Sequence, residues 1–292
     1  MRTSARRYDP DSDYGRVGEF LVRTYRRGGS HPNWLQPRWE YMHHHRFIRA
    51  IDLRRIGIWE KGGEIVGVVH PEHHTGTVYV QVDPAHAGLR VEMLRYAEAN
   101  LAARKTLRIF IHDTDNELQR TAAELGYKRD GGAEEMSRFD VVESLPEPSV
   151  PAGFRIASLA DDDDAEKVHC LLWRGFNHEG RPPPDGRADR AFMQSAPNFR
   201  KDLNIVVVAP DDGFASYCGV WYERRHRIAC IEPVATDPKF RGLGLAKAAV
   251  LEGVRRCERA GATVAYVATA MPFYLSIGFR RMYALSAWRR EW

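Results

Sequence analysis

Residues 232–254 read EPVATDPKFRGLGLAKAAVLEGV, and residues 260–279 read AGATVAYVATAMPFYLSIGF. The first stretch predicts a strand ending at Thr236, a turn opened by Asp237-Pro238, and a helix from Leu243 to Arg259. A helix that begins on a glycine turn gathers unpaired N–H groups and the positive end of its dipole at one point, which makes an anion site. Two common phosphate loops are excluded. No G-x-x-x-x-G-K-[ST] run occurs, and a dinucleotide fingerprint counted from Gly242 and Gly244 needs glycine where Lys247 stands.

What remains is Arg241-Gly242-Leu243-Gly244-Leu245-Ala246, matching [R/Q]-x-x-G-x-[G/A]. A helix and a strand later comes Phe273-Tyr274-Leu275-Ser276-Ile277-Gly278-Phe279. In this order and separation the two runs resemble the acetyl-coenzyme A site of the GNAT superfamily of N-acetyltransferases. The first is similar to its pyrophosphate loop, and the Tyr-x-x-x-Gly-Phe to its second conserved block.

At 292 residues the chain has room for two domains of ordinary size. With 43% hydrophobic and 28% charged residues it reads as a folded globular protein rather than a disordered one. No run of eighteen apolar residues predicts a membrane span. The start, MRTSARRYDPDSDYG, has no apolar core of a secretory signal, so a cytoplasmic location is expected. Cys170, Cys218, Cys230 and Cys257 lack metal-type spacing and read as reduced thiols. The net charge of +4 suits a phosphate-bearing cofactor and falls short of a nucleic-acid footprint, so neither nucleic acid nor membrane is expected as a partner.

Three prolines in Ser144-Leu145-Pro146-Glu147-Pro148-Ser149-Val150-Pro151 forbid a helix and favour extended backbone. A linker over residues 146–152 would divide the chain into domains 1–145 and 153–292. The halves repeat an order: hairpin, strand, Asp-Pro, glycine, helix, strand, helix, Gly-aromatic. Together with the resemblance this implies an α/β (α+β) fold of two tandem GNAT-like domains, each a mixed, mostly antiparallel twisted sheet flanked by helices. The first copy departs from the pattern. Ala85-His86-Ala87-Gly88-Leu89-Arg90 replaces the phosphate loop, and Gln119-Arg120-Thr121-Ala122 offers no tyrosine. Scaffold, substrate-pocket wall and homodimer surface are the roles left open to it.

Acetyl transfer to an amine needs a base, a place for negative charge on the thioester oxygen, and a proton for the leaving thiolate. General acid–base help contributes about 10²–10⁴ in rate, and one oxyanion donor about 10²–10³. Strand alternation would put Cys230, Glu232, Val234 and Thr236 on one face, making Glu232 the candidate base. Tyr274, four residues before Gly278, is the candidate acid that the resemblance implies. The resemblance also implies an oxyanion donor at the backbone of Val234 or Ala235, with Thr236 completing the coenzyme edge. The amides of Arg241 to Ala246 would cradle the pyrophosphate. Trp173, Phe176, Asn177, His178 and Glu179 precede a proline loop where the acceptor pocket is expected; His178, Glu179 and the Trp292 carboxylate are reserve acid–base groups.

His43-His44-His45 cannot all ligate one metal ion, since consecutive residues on a helix point about 100° apart; His70, His73 and His74 flank a hairpin turn, and both groups are expected at the surface. Asp161 to Asp164 reads as a solvated helix N-terminus. The function expected is direct, acetyl-CoA-dependent acetylation of a small-molecule primary amine, with an aminoglycoside antibiotic, and hence antibiotic resistance, as the attractive case. A protein or peptide amine acetyltransferase and a non-catalytic acyl-CoA-binding module are the alternatives.

Overall fold

The computed structural model describes residues 2–26, 33–141 and 145–292. In chain order the elements begin with β1 (Ser4–Arg7), α1 (Asp13–Thr24), α2 (Gln36–His44), β2 (Gly57–Lys61), β3 (Glu64–Pro71) and β4 (Thr77–Val82). Next come α3 (Arg90–Asn100), β5 (Thr106–His112), α4 (Asn116–Glu124), β6 (Lys128–Asp140), β7 (Arg155–Ser158), α5 (Ala165–Gly175) and α6 (Gly186–Gln194). The chain then runs through β8 (Asn204–Val208), β9 (Phe214–Glu223), β10 (Ile228–Thr236), α7 (Leu245–Arg259), β11 (Val264–Val267), α8 (Pro272–Ile277) and β12 (Arg280–Glu291).

The chain divides into two compact units: Met1–Met136 with Arg281–Trp292, and Ser137–Arg280. Each is a mixed sheet, mostly antiparallel, with helices packed on it. In the first, β1, β2, β3 and β4 are antiparallel neighbours, β4 runs parallel to β5, and β5 is antiparallel to β12. In the second, β7, β8, β9 and β10 are antiparallel neighbours, β10 runs parallel to β11, and β11 pairs with residues 137–140.

The continuous apolar run Ile205 to Val208 follows from both faces of the second sheet being covered. Ile205 and Val207 join Val220, Ile231, Ala249, Val254 and Phe279 on the α7 side. Val206 and Val208 join Leu171, Tyr217 and Ala235 on the α5 side.

The parallel pair in each unit is short. β10 meets β11 only over Ile228–Cys230, and β4 meets β5 only at Thr77 and Val78. Beyond those residues the strands part, leaving one edge of β10 and one edge of β4 open.

These boundaries differ from a division at residues 146–152. β12 pairs with β5, so the last strand belongs to the first unit, and residues 137–140 belong to the second. Within the proline-rich segment Ser144 lies outside the described residues, Leu145 is in the second unit's core, and Glu147 is ion-paired to Arg255 of α7 at 2.5 Å. Packing against α7 therefore makes this segment part of the unit rather than a free connector. β1 and β6 were not legible in the sequence.

Two of the histidines are also corrected. His43 and His70 are buried, while His73 and His74 are exposed. His43 lies 3.8 Å from Trp39 between ring centroids, and His70 lies 4.5 Å from Trp34. Burial pushes their pKa values down to about 3 and about 4, so both rings are neutral.

Candidate active site

The base candidate sits in a β-bulge. Up to Ile231 the β10 residues face β9 in one register (Ile231 opposite Val220), and from Val234 they face it in another (Val234 opposite Cys218). Glu232 and Pro233 therefore oppose the single residue Gly219. The inserted residue reverses the alternation, so Val234 and Thr236 lie on the opposite face from Cys230. That corrects the expectation that all four would share a face.

At Gly219 a Cβ would stand 2.6 Å from the Glu232 carbonyl oxygen, so only glycine fits under the bulge. The same oxygen accepts a hydrogen bond from the Trp221 indole Nε1 at 3.0 Å. Glu232 itself is half-buried.

Beyond the bulge, Asp237 donates its N–H to Ala215 at 2.9 Å. In an antiparallel ladder the backbone groups alternate between the partner strand and the other edge. Ala235, opposite Tyr217, is thus turned to β9, and its carbonyl also accepts from Ser216 Oγ at 3.1 Å. Val234 and Thr236 turn their backbone toward the edge that β11 has left, where the Thr236 carbonyl accepts from Arg241 Nε at 3.4 Å. Of the three residues expected to line the coenzyme edge, two present their backbone there and Ala235 backs them.

The strand ends at Asp237, whose side chain accepts from Lys239 N and pairs with Arg174 at 2.5 Å. Gly242 (φ +81°) and Gly244 (φ +76°) both take the left-handed backbone that glycine adopts without strain. Gly244 is the N-cap of α7, so no side chain caps that helix. By contrast Asp164 caps α5, accepting from the N–H groups of Glu166 and Lys167. A Cβ on either Gly242 or Gly244 would meet nothing within 4 Å. Arg241 through Gly244 are exposed, whereas Leu245 is buried and anchors the helix and Ala246 is half-buried. The expected cradle is thus open, uncapped and on the surface.

The Arg241 side chain turns away from the cradle. It donates to the Gly175 carbonyl at 2.9 Å and to Asn177 Oδ1 at 2.8 Å, tying the glycine loop to the end of α5. At Gly175 a Cβ would lie 2.8 Å from the Ala235 Cβ, so α5 ends directly against β10. Of the pocket candidates, Trp173 and His178 stack at 4.4 Å, Asn177 holds Arg241, and Phe176 and Glu179 are exposed. The acidic run is spent locally. Asp161 accepts from Ser158, Asp162 and Asp163 pair with Lys167 and Lys201, and Asp164 caps the helix.

Tyr274 lies on α8, buried in the core beside Phe273 and Phe279. Gly278 ends this helix at φ +115°, and the Phe279 N–H returns to the Tyr274 carbonyl at 3.1 Å. That closure explains the Tyr-x-x-x-Gly-Phe spacing. Burial, then the neighbouring Cys218 and the Glu232 charge, raises the phenol far above its ordinary pKa, so it keeps its proton at neutral pH. Burial likewise raises the Cys218 thiol and pushes Cys257 up to about 12, leaving neither as a thiolate nucleophile. Trp292 belongs to the first unit, where its N–H donates to the Lys105 carbonyl at 3.1 Å.

The first unit fills its own opening. Asp83 donates to Val66 across β3, so Val82 turns its backbone to the open edge of β4. Both of those groups are taken by one side chain: Val82 N–H donates to Asn33 Oδ1 at 2.9 Å, and Asn33 Nδ2 donates back to the Val82 carbonyl at 3.1 Å. Alongside, Arg38 forms ion pairs with Glu72 (2.8 Å) and Glu134 (2.9 Å), and its guanidinium lies 4.0 Å over the Trp34 ring. No local sequence pattern marks Asn33, Trp221 or Gly219, because each acts through a partner distant in the chain.

The sequence pattern of the acetyltransferase (GNAT) family matches residues 165–279. No curated protein matches the chain. Solved structures share the fold. A GCN5-related N-acetyltransferase from Sphaerobacter thermophilus is 19% identical with a TM-score of 0.66, over 99% of this chain and 95% of that one. A tandem GNAT protein from the clavulanic acid biosynthesis pathway is 15% identical with a TM-score of 0.67, over 99% and 98%. A GCN5-related N-acetyltransferase from Kribbella flavida is 15% identical with a TM-score of 0.54, over 94% and 93%.

Proposed function

We propose that the second unit, whose residues 165–279 match the acetyltransferase (GNAT) family, is an acetyl-CoA-dependent N-acetyltransferase acting directly on a primary amine of a small molecule. The observation that carries the proposal is the open edge of β10 leading straight into the uncapped N-terminus of α7. An extended pantetheine arm, with its amides, suits a strand edge, and a pyrophosphate suits a helix N-terminus. Val234 and Thr236 would hold the first, and the amides of Gly242 through Ala246 the second. Bound there, the coenzyme supplies an activated acyl thioester.

The rest falls to the chain's own side chains. Glu232 accepts a proton from the amine, which at a pKa of about 10.4 for a lysine-like ammonium is otherwise protonated at neutral pH. The outward Val234 N–H is the donor available to negative charge growing on the acyl oxygen. Tyr274, held protonated by its surroundings, offers its Oη proton to the departing sulfur. The thiols of Cys218 and Cys257 stay protonated, which supports direct transfer over an acyl-cysteine route.

For the acceptor, the exposed Glu179 and the half-buried Glu232 favour a cation, and the stacked Trp173–His178 pair offers a flat face of the kind sugar rings pack against. We therefore place polyamino sugars, aminoglycosides among them, first in a panel of amines. Turnover of the panel with acetyl-CoA tests the class: acetylation of another amine with none of aminoglycosides removes that substrate. Glu232→Gln is expected to lower kcat by about 10²–10⁴ while leaving coenzyme binding intact. Binding without turnover of any amine would point to a sensing module instead.

A further inference from the structure

We infer that Trp221 and Gly219 are positioning residues for Glu232: together they fix the peptide that follows it and so aim its carboxylate. The inference rests on the reading of Glu232 as base, and goes beyond it in assigning what holds the base in place. A bulge takes two residues out of the strand ladder, and their backbone groups need other partners. The Glu232 carbonyl finds its partner in the Trp221 indole at 3.0 Å. That indole is itself immobilised, only 4% exposed and packed edge-to-face on Phe199 at 5.7 Å.

On the same face of β9, Gly219 closes the space around that carbonyl. A Cβ there would meet the same carbonyl oxygen at 2.6 Å, its carbon at 3.2 Å and Asn204 Oδ1 at 3.2 Å. Asn204 cannot retreat freely, because its Oδ1 accepts from Tyr217 Oη and its Nδ2 donates to the Arg200 carbonyl at 2.8 Å. A carbonyl pinned by a donor and seated on a glycine fixes the plane of the 232–233 peptide. That plane sets ψ of Glu232, and with it the direction from which the side chain leaves the strand. Half-ångström errors in such placement are costly in acid–base catalysis.

The test compares Trp221→Phe, Gly219→Ala and Glu232→Gln, alone and with each of the first two combined with the third, using acetyl-CoA and the fastest acceptor of the amine panel. Tyr222→Phe is the control, because it removes a partly buried hydrogen bond to the Ala260 carbonyl (3.0 Å) on the opposite face of β9. Trp221→Phe keeps a ring against Phe199 and is expected to lower kcat about tenfold, and Gly219→Ala about 10²-fold. In both, the KM for acetyl-CoA and the affinity for free coenzyme A stay at wild-type values, and the acid limb of the kcat/KM profile moves. Tyr222→Phe leaves kcat unchanged.

In the Glu232→Gln background neither substitution lowers kcat further. Wild-type kcat in Trp221→Phe and Gly219→Ala beside an inactive Glu232→Gln overturns the positioning role while leaving the base in place. Losses that multiply with that of Glu232→Gln, or an unmoved pH profile, also overturn it. Full activity in Glu232→Gln removes the base reading and this inference together.

Discussion

The two units open the same strand edge and do opposite things with it. In the first, the outward N–H and carbonyl of Val82 are both satisfied by Asn33, and a buried Arg38–Glu72–Glu134 network stands beside them. In the second, the Val234 backbone and the Thr236 N–H face an edge that leads into an uncapped helix N-terminus, with the Thr236 carbonyl taken by Arg241 Nε. Val234 and Thr236 are half-buried, so their outward groups are within reach of water or of a ligand. One unit has completed itself from its own sequence. The other is completed, on the present proposal, by coenzyme.

The contrast is sharpened most strongly by Tyr274→Phe. It keeps the buried ring and removes only the proton donor, so kcat should fall by about 10²–10⁴ with little change in melting temperature or coenzyme affinity. Wild-type kcat in this variant would break the assignment of the acid.

Next in size is the acid response of the first unit. His43 and His70 have folded pKa values of about 3 and about 4 against 6.5 for an unperturbed histidine. Below pH 6.5 the unfolded chain therefore takes up protons that the folded one refuses, and stability falls as pH falls until those values are reached. The slope is about 1.4 kcal/mol per pH unit for each ring. Fluorescence of Trp34 and Trp39, which touch these rings, should report loss of the first unit as the pH drops from 6 to 4. A signal flat over that range would contradict the burial.

Much of the second unit was legible because its signals are local. The strand Ile228 to Thr236, the glycine turn and the Tyr274–Phe279 closure each depend on residues within a few positions of one another. The register reversal at Glu232 was not, because Gly219 lies thirteen residues away and only pairing reveals the mismatch. The unit boundaries were hidden for the same reason. β12 meets β5 across more than 170 residues (Leu285 opposite His112), and no pattern inside either strand names its partner. The departures of the first copy from the phosphate loop were visible. Its plug was not, since Asn33 reaches Val82 across 49 residues.

Asn33→Ala should unpair both Val82 groups and cost about 1–3 kcal/mol in chemical denaturation, with kcat unchanged. Loss of activity there would tie the plug to catalysis and blur the contrast. Smallest is a pair of glycine variants. Gly244→Ala forces a side chain into left-handed backbone, a strain of about 1–2 kcal/mol, and should raise the KM for acetyl-CoA about tenfold. Gly88→Ala, at the corresponding turn of the first unit, has ordinary backbone and open space around it and should change nothing.

The proposed function puts one coenzyme site on each chain, on the β10 edge and the α7 N-terminus. The decisive measurement is isothermal titration of the intact protein with coenzyme A, in the wild type, in Gly244→Ala and in Gly88→Ala. One mole should bind per mole of chain, with affinity weakened by Gly244→Ala and unaffected by Gly88→Ala. Two moles per chain, or binding indifferent to Gly244, would contradict it.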